Sequence, residues 1–267
     1  MALPSLFIWG GPVFADTPSK VAWTTDVQAL VLSHGPNGGI SSGAFSQLAE
    51  SLKGPDGRIL PQILAQAKLN RADFDKVVIG GFSAFHGLAA PLLDADADEI
   101  SACICLDACF SDPSKVVKQG YRKFAAKTAR GDALFVFTAS SGGGVGSGAT
   151  IGPDIPDFTT GYDCAWANAE AGAADAGVTL EPYTPPDTVP PTNKGSAKRA
   201  NGLIVLDYRD EYWHGDHVNK FGIQVLDTYL APYVAGDFSV GAGGGTRWLG
   251  FAAGVALGLG LAVMLGD

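Results

Sequence analysis

Apolar residues along the chain gather into short, nearly continuous runs separated by stretches with helical spacing. The runs at 5–10, 28–33, 76–80, 100–106, 133–138 and 203–207 are five to seven residues long and rich in Val, Ile, Leu and Phe. Such runs suit strands covered on both faces, whereas a half-exposed strand alternates apolar and polar positions. Between them, 43–53, 59–69, 84–93, 113–128 and 217–231 carry apolar residues at helical spacing. In the last of these, Val218, Phe221, Val225 and Tyr229 fall on one side and are expected to face the sheet. Strands alternating with helices predict βαβ units, and so an α/β fold with a mostly parallel sheet flanked by helices.

Two segments break the alternation. Residues 139–153 are rich in Gly and Ser, and 182–202 in Pro, Thr and Lys, with an Ala-rich helical stretch at 162–177 between them. The whole of 139–202 reads as an insertion or lid over one sheet edge. Beyond the last helix, Gly241 to Thr246 form a Gly-rich tether within 236–247. The uncharged run 248–266 follows, and as a helix it would span roughly 28 Å, the thickness of a bilayer's hydrocarbon core. Gly250, Gly254 and Gly258 fall four apart on it and predict a flat stripe for self-association. The expected organisation is therefore a domain at 1–235, a linker at 236–247 and a C-terminal transmembrane helix at 248–266. Arg247 before the span places the main domain on the cytoplasmic side by the positive-inside tendency. At the other end, residues 5–10 read as a first strand and not as a leader, since no Lys or Arg precedes them.

Composition narrows the function. A hydrophobic content of 46% and a charged content of 17% describe a chain that can build a core. A net charge of −9 argues against nucleic-acid binding, which needs clustered cations. Of the cysteines, Cys103 and Cys105 share one strand face; the favoured reading is buried free thiols throughout, with a Cys109–Cys164 disulfide as the alternative.

Candidate chemistry sits at strand ends. The strand at 76–80 runs into Gly81-Phe82-Ser83-Ala84-Phe85-His86-Gly87 and then a helix. A serine on such a turn is held out above the sheet, and the N–H of Ala84 at the helix start can face a developing oxyanion. The run at 28–33 ends in Ser33-His34-Gly35-Pro36-Asn37-Gly38-Gly39, a glycine-rich turn able to present further N–H donors. The run at 100–106 ends in Leu106-Asp107-Ala108, and two histidines, His214 and His217, follow the last strand. Imidazole titrates near pH 6.5 and suits proton transfer in both directions.

Taken together these pieces resemble the α/β-hydrolases, serine hydrolases of the lipase and esterase kind, over roughly residues 25–235. Gly81 and Ser83 match the Gly-x-Ser-x-Gly turn, and Phe85 departs from it. The 33–39 turn looks like the His-Gly oxyanion loop, with Pro36 at a position that cannot donate. The resemblance implies Ser83 as nucleophile, Asp107 as orienting acid and His217 as base. His214 is the alternative base, and Asp154 or Asp157 the alternative acid. Ala84, Asn37 and Gly35 would form the oxyanion hole, with His34 and His86 structural. It implies a small-molecule or lipid-like ester or amide substrate and no cofactor. Two other readings stand beside it. One is a metal hydrolase built on Asp210, Glu211, His214, Asp216 and His217, poorly supported by their spacing. The other is an inactive hydrolase fold with a binding or structural role at a membrane.

Overall fold

The computed structural model describes residues 3–10, 20–32, 42–109, 117–139, 144–145, 149–150, 161–192, 197–208, 212, 215–238 and 261–262. Its strands are β1 (Ser5–Gly10), β2 (Val27–Leu32), β3 (Val77–Phe82), β4 (Ala102–Leu106), β5 (Leu134–Ala139), β6 (Gly144–Val145), β7 (Ala149–Thr150), β8 (Glu181–Pro182), β9 (Lys198–Ala200), β10 (Leu203–Asp207) and β11 (Leu261–Ala262). The helices are α1 (Ser42–Ser51), α2 (Leu60–Gln66), α3 (His86–Asp96), α4 (Gln119–Ala129), α5 (Gly161–Asp175), α6 (Asp216–Asn219), α7 (Gly222–Val225) and α8 (Ala231–Ala235), with a π-type turn at Leu226–Leu230 joining the last two.

The main sheet runs β11-β2-β1-β3-β4-β5-β10-β9-β8. From β11 to β10 every pairing is parallel, and β9 and β8 close one edge antiparallel. The fold is therefore α/β with a mostly parallel sheet flanked by helices. β1, β4, β5 and β10 are buried at every residue, as strands covered on both sides must be.

Side-chain alternation splits the core in two. Leu6, Ile8, Ile79, Cys103, Cys105, Phe135 and Phe137 face the layer of α1 to α5. Phe7, Trp9, Val78, Ile104, Leu106, Val136 and Leu206 face the other way, onto Val218, Phe221, Val225, Tyr229 and Val234 of the C-terminal helices. The helical stripe expected at 217–231 does bury against the sheet.

The segment 139–202, expected as an insertion or lid, contributes regular parts of the fold. α5 packs against α4, β5 and β10 as a layer helix, and β8 and β9 extend the sheet. The expectation of free thiols throughout is corrected at two positions. Cys109 and Cys164 form a disulfide across a separation of 55 residues, while Cys103 and Cys105 are free and buried. Packing of α5 against α4 and β5 places Cys164 beside Cys109, which sequence spacing does not encode.

Among the described residues no helix is long and apolar enough to cross a membrane. The run 248–266, with Gly250, Gly254 and Gly258, lies outside those residues except for Leu261–Ala262. That pair is extended and lies parallel beside Leu30 and Val31 of β2, not helical.

Candidate active site

Register brings four strand ends into one rank. Phe82 pairs with Leu106, Leu106 with Thr138, and Thr138 with Leu206. The next residues, Ser83, Asp107, Ala139 and Asp207, therefore line the same sheet edge at steps of about 4.8 Å. Among the described residues four that are not glycine have positive φ: Lys68, Ser83, Asp107 and Asn201. Two of them, Ser83 at 52° and Asp107 at 44°, stand side by side on this edge. Such backbone costs about 1–3 kcal/mol per residue and persists where surrounding structure enforces it, a pattern concentrated at functional sites.

At Ser83 the enforcement is visible. β3 is central in the sheet and feeds directly into a 3-10 turn (Ser83–Phe85) and then α3. Phe85 occupies the position where a small residue was expected, and it is fully buried. Its ring fits because the strands beneath it have no side chains there. A Cβ on Gly10 would lie 2.0 Å from the Phe85 ring, and one on Gly81 2.3 Å from that ring and 2.4 Å from the Gly10 carbonyl. The ring also meets Phe45 of α1 edge to face at 6.1 Å. Small residues thus lie one layer lower than the motif places them.

His86, one turn on, is held by the Ser83 carbonyl, which accepts from Nδ1 at 3.1 Å. Burial, helped by the Lys118 charge, lowers its pKa to about 4 against the raising effect of that hydrogen bond. His86 is thus neutral at ordinary pH and its ring buttresses the turn. It also lines a cleft of about 640 Å³ between α1, α3 and α4, with Ser46, Lys53, Asp94 and Lys118.

His217, in α6, is fully buried. Its Nδ1 lies 2.7 Å from Oγ1 of Thr138, the penultimate residue of β5. Its ring packs between Tyr208 at 5.7 Å and Phe221 at 5.0 Å. Gly222 permits the fit, since a Cβ there would lie 2.7 Å from the His217 carbonyl and 3.0 Å from Leu106. Asp107 joins this group through its backbone: its N–H is shared between Thr138 O at 3.0 Å and Thr138 Oγ1 at 3.1 Å. The carboxyl-bearing Asp107 and Asp207 are both buried, at 1% and 0% exposure.

Of the predicted residues, Ser83, Ala84, Asp107 and His217 thus fall at the C-terminal edge of the central strands or in the turns that follow. Gly35, Asn37, His214, Asp154 and Asp157 lie outside the described residues, as do Asp210 and Glu211. Asp216 pairs with Lys220 at 3.0 Å. The strand beside β3 is β1, and β2, from which the 33–39 turn departs, is one place further out. Gly10, beside Gly81, therefore lies nearer to Ser83 than Leu32 does. Sequence reasoning missed Thr138 and Asp207. Both terminate apolar runs that were recognised as strands, and that position was the available signal.

No protein-family model, no curated protein and no solved structure matches the chain.

Proposed function

We propose that the chain is a serine hydrolase of the α/β-hydrolase type, cleaving an ester or amide bond in a small or lipid-like substrate through an acyl-enzyme. The observation that carries this reading is the left-handed backbone of Ser83 at the turn from a central parallel strand into a helix, next to a second strained residue, Asp107. In the proposed mechanism Ser83 Oγ attacks the carbonyl carbon, and its proton passes to an imidazole from the region after β10. That imidazolium then protonates the alcohol or amine as its bond to the carbonyl carbon breaks. Water, deprotonated by the same imidazole, releases the acid and restores the serine. The oxyanion is met by Ala84 N–H and by a second N–H, for which Asn37 or Gly35 in the 33–39 turn remain the candidates. His217 is the proposed base, with His214 its alternative; Asp107 is the proposed orienting acid. Many α/β-hydrolases place that acid after the strand equivalent to β5, the strand whose Thr138 meets His217 here.

Ser83→Ala is expected to lower turnover of a generic ester by roughly 10⁴-fold or more, with an unchanged fold by circular dichroism. Fluorophosphonate should label the native chain at Ser83. Equal turnover in the two proteins would overturn the assignment.

A second reading, an inactive hydrolase fold with a binding role, is favoured by one feature. His217 is wholly enclosed, and its Nδ1 meets a threonine hydroxyl. Absence of both labelling and turnover in the native protein supports that reading. Attachment to a bilayer through 248–266 is proposed with either; it requires Leu261–Ala262 to leave the edge of β2. The full chain should then resist alkaline extraction from membranes, and a chain ending at Arg247 should not.

A further inference from the structure

We infer that Thr138 is a positioning residue that holds His217 as the tautomer protonated on Nε2. The inference rests on the hydrolase reading only for its catalytic meaning; the tautomer itself follows from the contacts of one hydroxyl. Thr138 lies on the sheet face that meets the C-terminal helices and is 1% exposed. Its Oγ1 has one hydrogen to give and two lone pairs to accept with. One lone pair takes the Asp107 N–H at 3.1 Å. The other contact of the hydroxyl among the described residues is His217 Nδ1 at 2.7 Å.

Two proton arrangements are compatible with that short contact. If Nδ1 carried the hydrogen, Thr138 would accept twice, and its own hydrogen would be buried with no acceptor, which folded proteins rarely tolerate. If Thr138 donates, Nδ1 accepts and every polar atom of the hydroxyl is used. Nε2 is buried and makes no hydrogen bond among the described residues in either arrangement, so the hydroxyl hydrogen decides between them. The second arrangement places the imidazole proton on Nε2. The Asp107 amide takes part, because it occupies the lone pair that would otherwise let the hydroxyl turn. A strained backbone at Asp107 thus aims the Thr138 hydrogen at the ring.

The consequence for the proposed reaction is specific. An imidazole with a hydrogen on Nε2 presents a donor there, whereas a base for Ser83 needs a lone pair on that atom. The described arrangement is then a resting form, and catalysis requires the Thr138 hydroxyl to release Nδ1.

Two-bond ¹H–¹⁵N correlation spectra of histidine-labelled full-length chain test this directly, with His217→Asn identifying the signals. The expected result is a non-protonated Nδ1 and a protonated Nε2 in the native protein and in Thr138→Ser. In Thr138→Val, which keeps the shape and removes the hydroxyl, the Nδ1 resonance should shift towards the protonated position. A protonated Nδ1 in the native protein overturns the inference, as does a folded Thr138→Val with the native pattern. Should Thr138→Val not fold, the native spectrum decides. The spectrum does not depend on turnover: loss of fluorophosphonate labelling removes the hydrolase and leaves the tautomer, while a protonated Nδ1 in a labelled enzyme does the reverse.

Discussion

Phe85 fills a space that two glycines keep open, and this makes its identity and theirs interdependent. Gly81→Ala would drive a methyl group against both the ring and the Gly10 carbonyl, and backbone on one side leaves little room to relax. A loss of about 1–3 kcal/mol is expected, read as a lower chemical-denaturation midpoint, with part of it recovered when Phe85→Leu is added. Simple additivity of the two changes would argue against the arrangement. His86 supplies a second test at this scale. Its folded pKa, about 4, lies below the unfolded value of 6.5. The unfolded chain therefore binds a proton that the folded chain refuses as pH falls through that window. Stability from this group is complete above pH 6.5 and lost on acidification, by up to about 2 kcal/mol between pH 7 and pH 5. Denaturation at the two pH values should show a smaller difference in His86→Gln; an equal difference would remove His86 as the cause.

Among the elements, the central strands were readable because burial on both faces forces unbroken apolar runs, and β10 falls on the expected residues 203–207. Helix limits were less readable where distant groups decide them. The helix expected from residue 113 begins at Gln119, since Lys118 is extended and its amide donates to Asn168 of α5 at 2.8 Å. The helix expected to reach residue 69 stops at Gln66, and Lys68 turns left-handed at 56°. The site was legible as far as a residue type at a strand end could reveal it, as with Ser83 and Asp107. Thr138 was invisible because a threonine closing a strand has no chemical signature until a histidine from another element meets it. The same holds for the pairing of Cys109 with Cys164. That bond fastens α5 to the segment two residues beyond Asp107, and disulfides typically contribute about 2–4 kcal/mol. Cys164→Ser should lower the unfolding free energy by an amount in that range; no change would mean the bond does not form in solution.

At the scale of the molecule, the parallel sheet explains why Thr138 and the Asp107 amide, far apart in sequence, come together beneath His217, with Ser83 at the end of the next strand. Parallel neighbours all end on the same side, and each crossover returns the chain to the other. The Cys109–Cys164 link closes a ring of backbone that contains α4 and β5, and so the Thr138 that meets His217. A protease cutting anywhere inside that ring leaves two fragments still covalently joined. The nicked protein should migrate as one species on a denaturing gel without reductant and separate into two with it, so a single pair of lanes reports the oxidation state of the protein in whatever compartment it was taken from.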